Sequence, residues 1–455
     1  MELLEQIVKF INQILWDYVL LILLCGTGIY FTIRLKFVQI RKFKQACKQV
    51  FGKLSFKRDK VDSNGMSSFQ SLATAIAAQV GTGNLAGAAT ALISGGPGAI
   101  FWMWLSAFFG MATIFGEATL AQKYKTKQHG ETIGGPSYYI RAAFQGKFGK
   151  VLAAIFSVLI IIALGFIGNM VQSNSIGDAF YNAFAIQPWT VGIVVALAAG
   201  FIFLGGVKRL VSVTEKLVPI MALFYILGTF VIIGINFRQI PTAFHDIFVG
   251  AFHPAALGGG ALGIGVQQTM RFGVARGLFS NEAGMGSTPH AHALAKVKHP
   301  CEQGIVAMMG VFIDTFVILT LTALVILTTG VLDQGYQGIF AGVGLPQAGF
   351  ESVFGKFGAV FIAICMLFFA FSTIIGWYFF GEINIKYLFG KKAVKIYAGL
   401  VMVFVFLGSL LKVDIVWALA DMFNGLMVIP NLIGIIALSG IIALSLKDFE
   451  KNQIQ

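Results

Sequence analysis

Charged side chains are scarce in this sequence. Only 12% of its 455 residues are Asp, Glu, Lys or Arg, and 57% are hydrophobic. Soluble domains carry about 25% charged residues, so this chain lacks the polar side chains needed to cover a soluble surface. The mean hydropathy of +0.81 agrees. The composition therefore excludes soluble proteins and predicts a polytopic membrane protein.

Motifs of catalytic chemistry are lacking as well. The four cysteines are scattered, with neither a disulfide framework nor a zinc-ligand spacing. The sequence has no His-Glu-x-x-His or Gly-x-Ser-x-Gly motif, no nucleotide-binding loop and no paired carboxylates within one apolar segment. We therefore expect neither a membrane-embedded enzyme nor ATP-driven transport by this chain.

Long apolar runs are abundant. Runs such as Val151–Ile167 lack the alternation of a membrane β-strand and favour an all-α protein. A crossing needs about 20 residues, and we predict eleven transmembrane helices. The predicted spans are residues 12–34, 67–93, 97–121, 151–172, 188–207, 213–236, 260–291, 303–330, 354–381, 394–411 and 423–446.

The net charge of +13 follows the predicted topology. Of the 33 Lys and Arg residues, ten lie in segment 34–60, and 27 lie on the same predicted side as that segment. Basic loops stay in the cytoplasm, so we expect a multi-pass protein of the cell membrane with its N-terminus outside and its C-terminus cytoplasmic. This charge orients the chain in the lipid bilayer, and we expect no nucleic-acid partner.

An inverted repeat follows from the count of spans. We predict an extra N-terminal helix with a basic loop, two sets of five helices that run in opposite senses, and a short tail. These four units are residues 1–66, 67–236, 237–446 and 447–455.

Glycines interrupt the first helix of each set. One interruption is Gly81-Thr82-Gly83-Asn84, and the other comprises Gly273 and segment 276–281. Glycine also serves plain helix packing, but two polar interruptions at corresponding positions favour a midplane binding site. Carbonyls that end one half-helix suit a cation, and N–H groups that begin the next suit a carboxylate. The breaks therefore predict a site for a zwitterion and a hard cation such as Na⁺.

Four motifs resemble those of the alanine/glycine:cation symporters, which belong to the LeuT-like amino-acid transporters. The resemblance covers nearly the whole chain. The motifs are Asn64-Gly-Met-Ser-Ser-Phe-Gln-Ser-Leu, Ala78-Gln-Val-Gly-Thr-Gly-Asn-Leu-Ala-Gly, Gly168-Asn-Met-Val-Gln-Ser-Asn-Ser and Arg276-Gly-Leu-Phe-Ser-Asn-Glu-Ala-Gly-Met-Gly-Ser.

The resemblance implies roles around the first break. It implies that the amides of Thr82 and Gly83 hold the substrate carboxylate. It also implies that the carbonyls of Ala77 and Val80 bind one Na⁺, and that Asn84 lies near a second.

The resemblance implies a partner for this break in span 354–381. Phe369, Ser372 and Thr373 have the i, i+3, i+4 spacing of the LeuT-like sodium site, with one carbonyl and two hydroxyls on one helix face. Without the family, hydroxyls that bond back to their own helix would be the preferred interpretation.

A substrate pocket is also implied by the resemblance. Its residues would be Gln172, Phe279, Thr373 and Trp377. The alternatives without a function are a solvated helix end for Gln172 and ordinary core or interface aromatics for Phe279 and Trp377. As pocket walls, the rings would leave room for little more than the side chain of alanine or glycine.

Ionisable residues inside spans are functional candidates, because each is costly to insert. Asp314 is a candidate for cation coupling, and the alternative is a structural partner of Arg271 or Arg276. Glu282 is interpreted as a cap at the start of a half-helix.

These features predict a secondary symporter that carries alanine and glycine into the cell with Na⁺ by alternating access. The alternative within this class is H⁺ coupling through Asp314 or Glu117. A channel is less favoured, since a continuous pore needs no pair of symmetric helix breaks.

Overall fold

The fold is almost entirely helical. The structure, a computed structural model, describes residues 2–52, 65–128, 130–257, 264–411 and 413–452. Within these ranges the only sheet is the antiparallel pair β1 (Thr126–Gln128) and β2 (Glu131–Ile133). Four basic residues of segment 34–60 and the beginning of span 260–291 lie outside the described residues.

The helices of the first half are α1 (Glu2–Ile14), α2 (Leu20–Arg34), α3 (Val38–Arg41), α4 (Phe43–Phe51), α5 (Ser68–Gln79), α6 (Ala88–Gly95), α7 (Ala99–Lys123), α8 (Pro136–Ala143), α9 (Gly146–Ile160), α10 (Asn169–Phe184), α11 (Pro188–Phe203) and α12 (Gly206–Ile235). Those of the second half are α13 (Ile240–Phe252), α14 (Val266–Asn281), α15 (Pro289–Ala293), α16 (Pro300–Val311), α17 (Thr320–Thr329), α18 (Leu332–Tyr336), α19 (Gly344–Phe354), α20 (Lys356–Phe389), α21 (Val394–Gly408), α22 (Val413–Ala437) and α23 (Ser439–Asn452). Wider π-helical turns join several pairs, among them Gly83–Gly87, Ile161–Gly168 and Phe312–Leu319.

Seven helices of the described ranges are long and apolar enough to cross a membrane, or eight with the bent pair α5 and α6. The shorter apolar helix α11 falls just below this length. The count of eleven spans and the inverted repeat are not confirmed by this measure and stay predictions.

Helix α20 lies at the centre of the bundle and contacts α5, α10, α12 and α19. Within its most apolar stretch 72% of the residues are buried, against 33% in α12. Because both helices are equally apolar in sequence, lipid contact explains the exposed apolar side chains of α12, and α20 is placed to carry the site.

The first break lies where the sequence predicts it. Helix α5 begins with a capping box, in which Ser67 and Gln70 each accept a hydrogen bond from the other's backbone N–H. It ends at Gln79 because Val80 turns to an extended conformation with ψ 93°. The chain resumes as helix at Gly83 after a bend of 50°.

The second break lies further along the chain than predicted. Helix α14 continues unbroken through segment 276–281, and Gly273 and Gly277 instead let it pack closely against α7. The chain leaves the helix at Glu282, Gly284 and Gly286, all with positive φ. The predicted interruption at 276–281 is therefore wrong, because those glycines serve packing.

Candidate functional site

Five oxygen atoms converge where the end of α5 meets α20. The Thr373 hydroxyl lies 3.0 Å from the Ala77 carbonyl, 3.4 Å from that of Val80 and 3.1 Å from that of Phe369. The Ser372 hydroxyl lies 3.2 Å from the Ala77 carbonyl and 2.8 Å from that of Phe369. The structure thus brings together all five residues of the predicted sodium site.

The local backbone explains this cluster. Because Val80 leaves the helix, the last carbonyls of α5 lack intrahelical donors and face the hydroxyls of α20. Gly81 permits the approach, since a Cβ there would overlap the Thr373 hydroxyl. Three carbonyls and two hydroxyls form a set of hard oxygen donors, which suits an alkali cation better than a transition metal.

The N–H groups beyond the break are partly engaged. The amide of Thr82 donates to Gln172 Oε1 at 3.1 Å, and the amide of Gly81 donates to Asn84 Oδ1 at 2.9 Å. The Thr82 amide, which the resemblance assigns to the substrate carboxylate, is thus engaged by a side chain in this conformation. At Gly83 a Cβ would lie 2.9 Å from the Ser280 backbone, so the break also contacts α14 closely.

Gln172 lies inside a continuous helix that runs from Gly146 to Phe184, which overturns the interpretation of a solvated helix end. Its Nε2 is buried without a hydrogen-bond partner among the described residues, as are the hydroxyls of Thr82 and Ser173. Buried polar atoms are nearly always satisfied. The unpaired groups of Gln172 and Thr82 lie at the break and can therefore bind a polar ligand.

Aromatic rings also lie near the first break. The rings of Phe279 and Trp377 meet edge to face with centroids 5.7 Å apart, and Trp417 packs on the other side of Phe279 at 4.8 Å. Phe279 and Trp377 are buried, with 4% and 1% exposure. Sequence reasoning missed Trp417, which lies on α22 and has no local motif to mark it.

Asp314 is buried in the π-helical turn after α16 and lies beside both breaks. Its Oδ1 accepts hydrogen bonds from Asn84 at 2.7 Å and from Ser280 at 2.9 Å. Its Oδ2 accepts one from Thr315 at 2.9 Å. The structure thus joins Asp314 to Asn84, the residue assigned to a second Na⁺.

The two arginines of α14 have other partners than Asp314. Arg271 pairs with Asp17 at 3.0 Å, and Arg276 makes a two-pronged ion pair with Asp421 at 2.6 and 2.8 Å. The alternative that Asp314 is a structural partner of Arg271 or Arg276 is therefore wrong. The Arg276 pair borders a cavity of about 540 Å³ between α1, α6, α14 and α22.

Two further carboxylates hold the second break. Glu117 of α7 accepts hydrogen bonds from the amides of Gly284 and Gly286, at 3.1 and 3.0 Å, and from Asn431 of α22. Glu282 ends α14, so its interpretation as a cap at the start of a half-helix is wrong. Its carboxylate contacts Trp377 and Ser287.

Comparison with known proteins supports the same class. A sequence model of the sodium:alanine symporter family matches residues 1–455. The chain is 42% identical to the sodium/alanine symporter AgcS of Methanococcus maripaludis over 98% of its length and 97% of the relative's. It is also 42% identical to the probable sodium/glutamine symporter GlnT of Bacillus subtilis, over 99% of its length and 92% of the relative's. A putative sodium/proton-dependent alanine carrier protein of that organism, YrbD, is 40% identical over 98% and 93%.

A solved structure shares the fold. MhsT, crystallised with L-phenylalanine, superposes with a TM-score of 0.60 over 86% of this chain and 93% of its own, at 14% identity. This likeness agrees with the expected LeuT-like fold and shows the fold alone. The family and the relatives named above are transporters, which agrees with the expectation that this protein is not an enzyme. Because the family model and the relatives cover essentially the whole chain, the protein belongs to the sodium:alanine symporter family.

Proposed function

We propose that this protein carries alanine and glycine into the cell together with Na⁺. The observation that carries the proposal is the convergence of the carbonyls of Ala77, Val80 and Phe369 with the hydroxyls of Ser372 and Thr373. Each hydroxyl now donates to a carbonyl. When Na⁺ enters, the hydroxyl protons turn away and all five oxygens face the ion.

The substrate lies beside this ion. The substrate carboxylate accepts hydrogen bonds from the main chain at Thr82 and Gly83. The Thr82 amide becomes available when its present hydrogen bond to the Gln172 side chain breaks. The unpaired Nε2 of Gln172 and the Thr82 hydroxyl supply further donors. Phe279 and Trp377 close the side-chain end, and their buried rings favour a methyl group or hydrogen over a long side chain.

Asp314 and Asn84 form the second coupling position, together with the Ser280 hydroxyl. No ion pair of the described residues includes Asp314, so its charge in the membrane calls for a bound cation or a proton. A second Na⁺ fits the oxygen donors. A proton is the second candidate, since one relative is named a sodium/proton-dependent alanine carrier.

Alternating access would act on two closures. Towards the outside, Arg276 and Asp421 join α14 to α22. Towards the cytoplasm, Met66 exchanges backbone hydrogen bonds with Leu294 and Lys296, at 3.0 and 2.9 Å. We propose that the ten helices after the N-terminal one form the two inverted sets of five, and that these two closures open in turn.

The test is uptake of labelled alanine and glycine into proteoliposomes that contain the purified full chain. An inward Na⁺ gradient should drive accumulation, and an inside-negative potential should increase it, since each charge is worth about 2.3 kcal/mol per 100 mV. A proton gradient imposed without Na⁺ is the second arm. Uptake driven equally well by that arm would overturn Na⁺ coupling in favour of H⁺.

A further inference from the structure

Glu282 is a buried acid that the proposed transport cycle leaves unused. It is 0% exposed and ends α14 in the left-handed conformation, with φ +59°. Residues other than glycine seldom adopt this conformation, and Asn or Asp are the usual exceptions. A glutamate at this position therefore points to a requirement for its side chain.

The contacts of Glu282 differ from those of its neighbour Glu117. Glu117 accepts from two backbone amides of the turn, so these amides do not depend on Glu282. The carboxylate of Glu282 instead binds side chains. Its Oε1 accepts from the indole Nε1 of Trp377 at 2.5 Å, and its Oε2 accepts from the Ser287 hydroxyl. No ion pair of the described residues includes it.

The Trp377 ring is held in one orientation. A Cβ at Gly168 would lie 2.5 Å from the six-membered ring, so the π-helical turn that precedes α10 lies directly against that edge. Phe279 meets the ring edge to face. If the indole turned over, its Nε1 would lose Glu282, which would leave a buried carboxylate oxygen without its donor, at a high cost.

The position of this ring bears on substrate size. Trp377 follows Thr373 by one helical turn on α20, and Thr373 belongs to the five-oxygen cluster. A ring that rotates away would open space next to the cation site. Relatives named for alanine and for glutamine are both 42% identical to this chain. Overall identity therefore does not indicate the size of the substrate side chain, which a single pocket wall such as Trp377 can set.

We infer that Glu282 is a positioning residue for substrate size, because its carboxylate holds the Trp377 indole as the wall against larger side chains. The inference rests on the proposed function. Glu282 contacts the wall and need not contact the substrate.

The test compares Glu282→Ala with Glu282→Gln in the full chain. Glycine, alanine, serine, glutamine and leucine compete for labelled alanine at saturating Na⁺. In Glu282→Ala the affinity ratio of glutamine or leucine to alanine should rise about tenfold, the effect of one hydrogen bond to a charged group. Glu282→Gln keeps an acceptor oxygen, so its affinity ratios should stay close to those of the wild type.

Two further variants make the test specific. In a Trp377→Phe background, which lacks the indole N–H, Glu282→Ala should cause no further change in the ratio. Trp104→Phe is the matched control, because its Nε1 donates to Thr320 at 2.8 Å, away from the pocket. The inference would be overturned if folded Glu282→Ala kept the wild-type affinity ratios. It would also be overturned if Glu282→Ala shifted the ratios equally in the wild-type and the Trp377→Phe background.

A readout without substrate separates this inference from the proposed function. In full-length protein labelled with ¹⁵N-tryptophan, the indole resonance missing from Trp377→Phe identifies Trp377. It should shift upfield in Glu282→Ala and stay nearly in place in Glu282→Gln. A wild type that binds none of the amino acids would refute the proposed function alone, whereas an unmoved resonance would refute the hydrogen bond.

Discussion

The two helix breaks each expose backbone groups inside the membrane protein, and these groups find different kinds of partner. At the first break, the carbonyls of Ala77 and Val80 have no donor within their own helix and accept from small hydroxyls of α20. At the second break, the carboxylate of Glu117 satisfies the amides of Gly284 and Gly286. The comparison teaches that the first break leaves carbonyls of its main chain facing small hydroxyls, as the proposed cation site requires, whereas a carboxylate from a neighbouring helix holds the amides of the second.

The largest effect is expected from Gly81→Ala. Its Cβ would overlap the Thr373 hydroxyl and lie 3.0 Å from Gln172 Oε1, so the five oxygens cannot converge. Na⁺-driven alanine uptake should fall more than about 100-fold while the protein still folds, since losing several ion contacts exceeds 3 kcal/mol. Gly234→Ala is the matched control, because no atom lies within 4 Å of that Cβ. Full uptake by Gly81→Ala would refute the cation site.

The next effect concerns the hydroxyls alone. Ser372→Ala with Thr373→Ala removes two of five oxygens, so the Na⁺ concentration for half-maximal uptake should rise at least about tenfold. Alanine affinity at fixed Na⁺ should fall too, and added Na⁺ should restore part of it, since coupling is reciprocal. Thr328→Ala is the control, because that buried hydroxyl only bonds back to Leu324. Unaltered Na⁺ activation would mean that the hydroxyls serve their own helix.

Glu117→Ala tests the second break. Two buried amides and Asn431 would lose their acceptor, at about 1–3 kcal/mol for each unsatisfied group. The thermal unfolding temperature of the detergent-solubilised protein should fall by several degrees, while the Na⁺ dependence of the remaining uptake stays unchanged. A changed Na⁺ dependence with unchanged stability would give Glu117 a coupling role and would break the contrast between the two breaks.

The smallest effect is expected at the ion pair before the second break. Asp421→Asn leaves Arg276 charged and 6% exposed, and should weaken alanine affinity severalfold. Adding Arg276→Gln should recover part of the loss, because no buried charge then stays unpaired. A double variant worse than either single one would show that each residue acts independently.

Much of the site follows from local sequence. The end of α5 before Gly81 is marked by glycines within an apolar run. The set Phe369, Ser372 and Thr373 came from the resemblance to the symporter family, since its spacing alone favours hydroxyls that bond back to their own helix. The local pattern does not distinguish a glycine that lets helices pack from a glycine that breaks a helix. Gly273 and Gly277 look like a break in sequence, yet they lie in unbroken helix because α7 approaches them.

The sequence by itself determined the class of this protein. Its low charge, apolar runs, basic loops and glycine-interrupted motif require a helical membrane protein with an irregular backbone inside it. Only the tertiary structure decided which partners meet. Arg276 pairs with Asp421, Asp314 with Asn84 and Glu282 with Trp377, across separations of 95 to 230 residues. The physical reason is that hydrogen bonds and ion pairs depend on distances of about 3 Å, which helix packing sets and local periodicity does not.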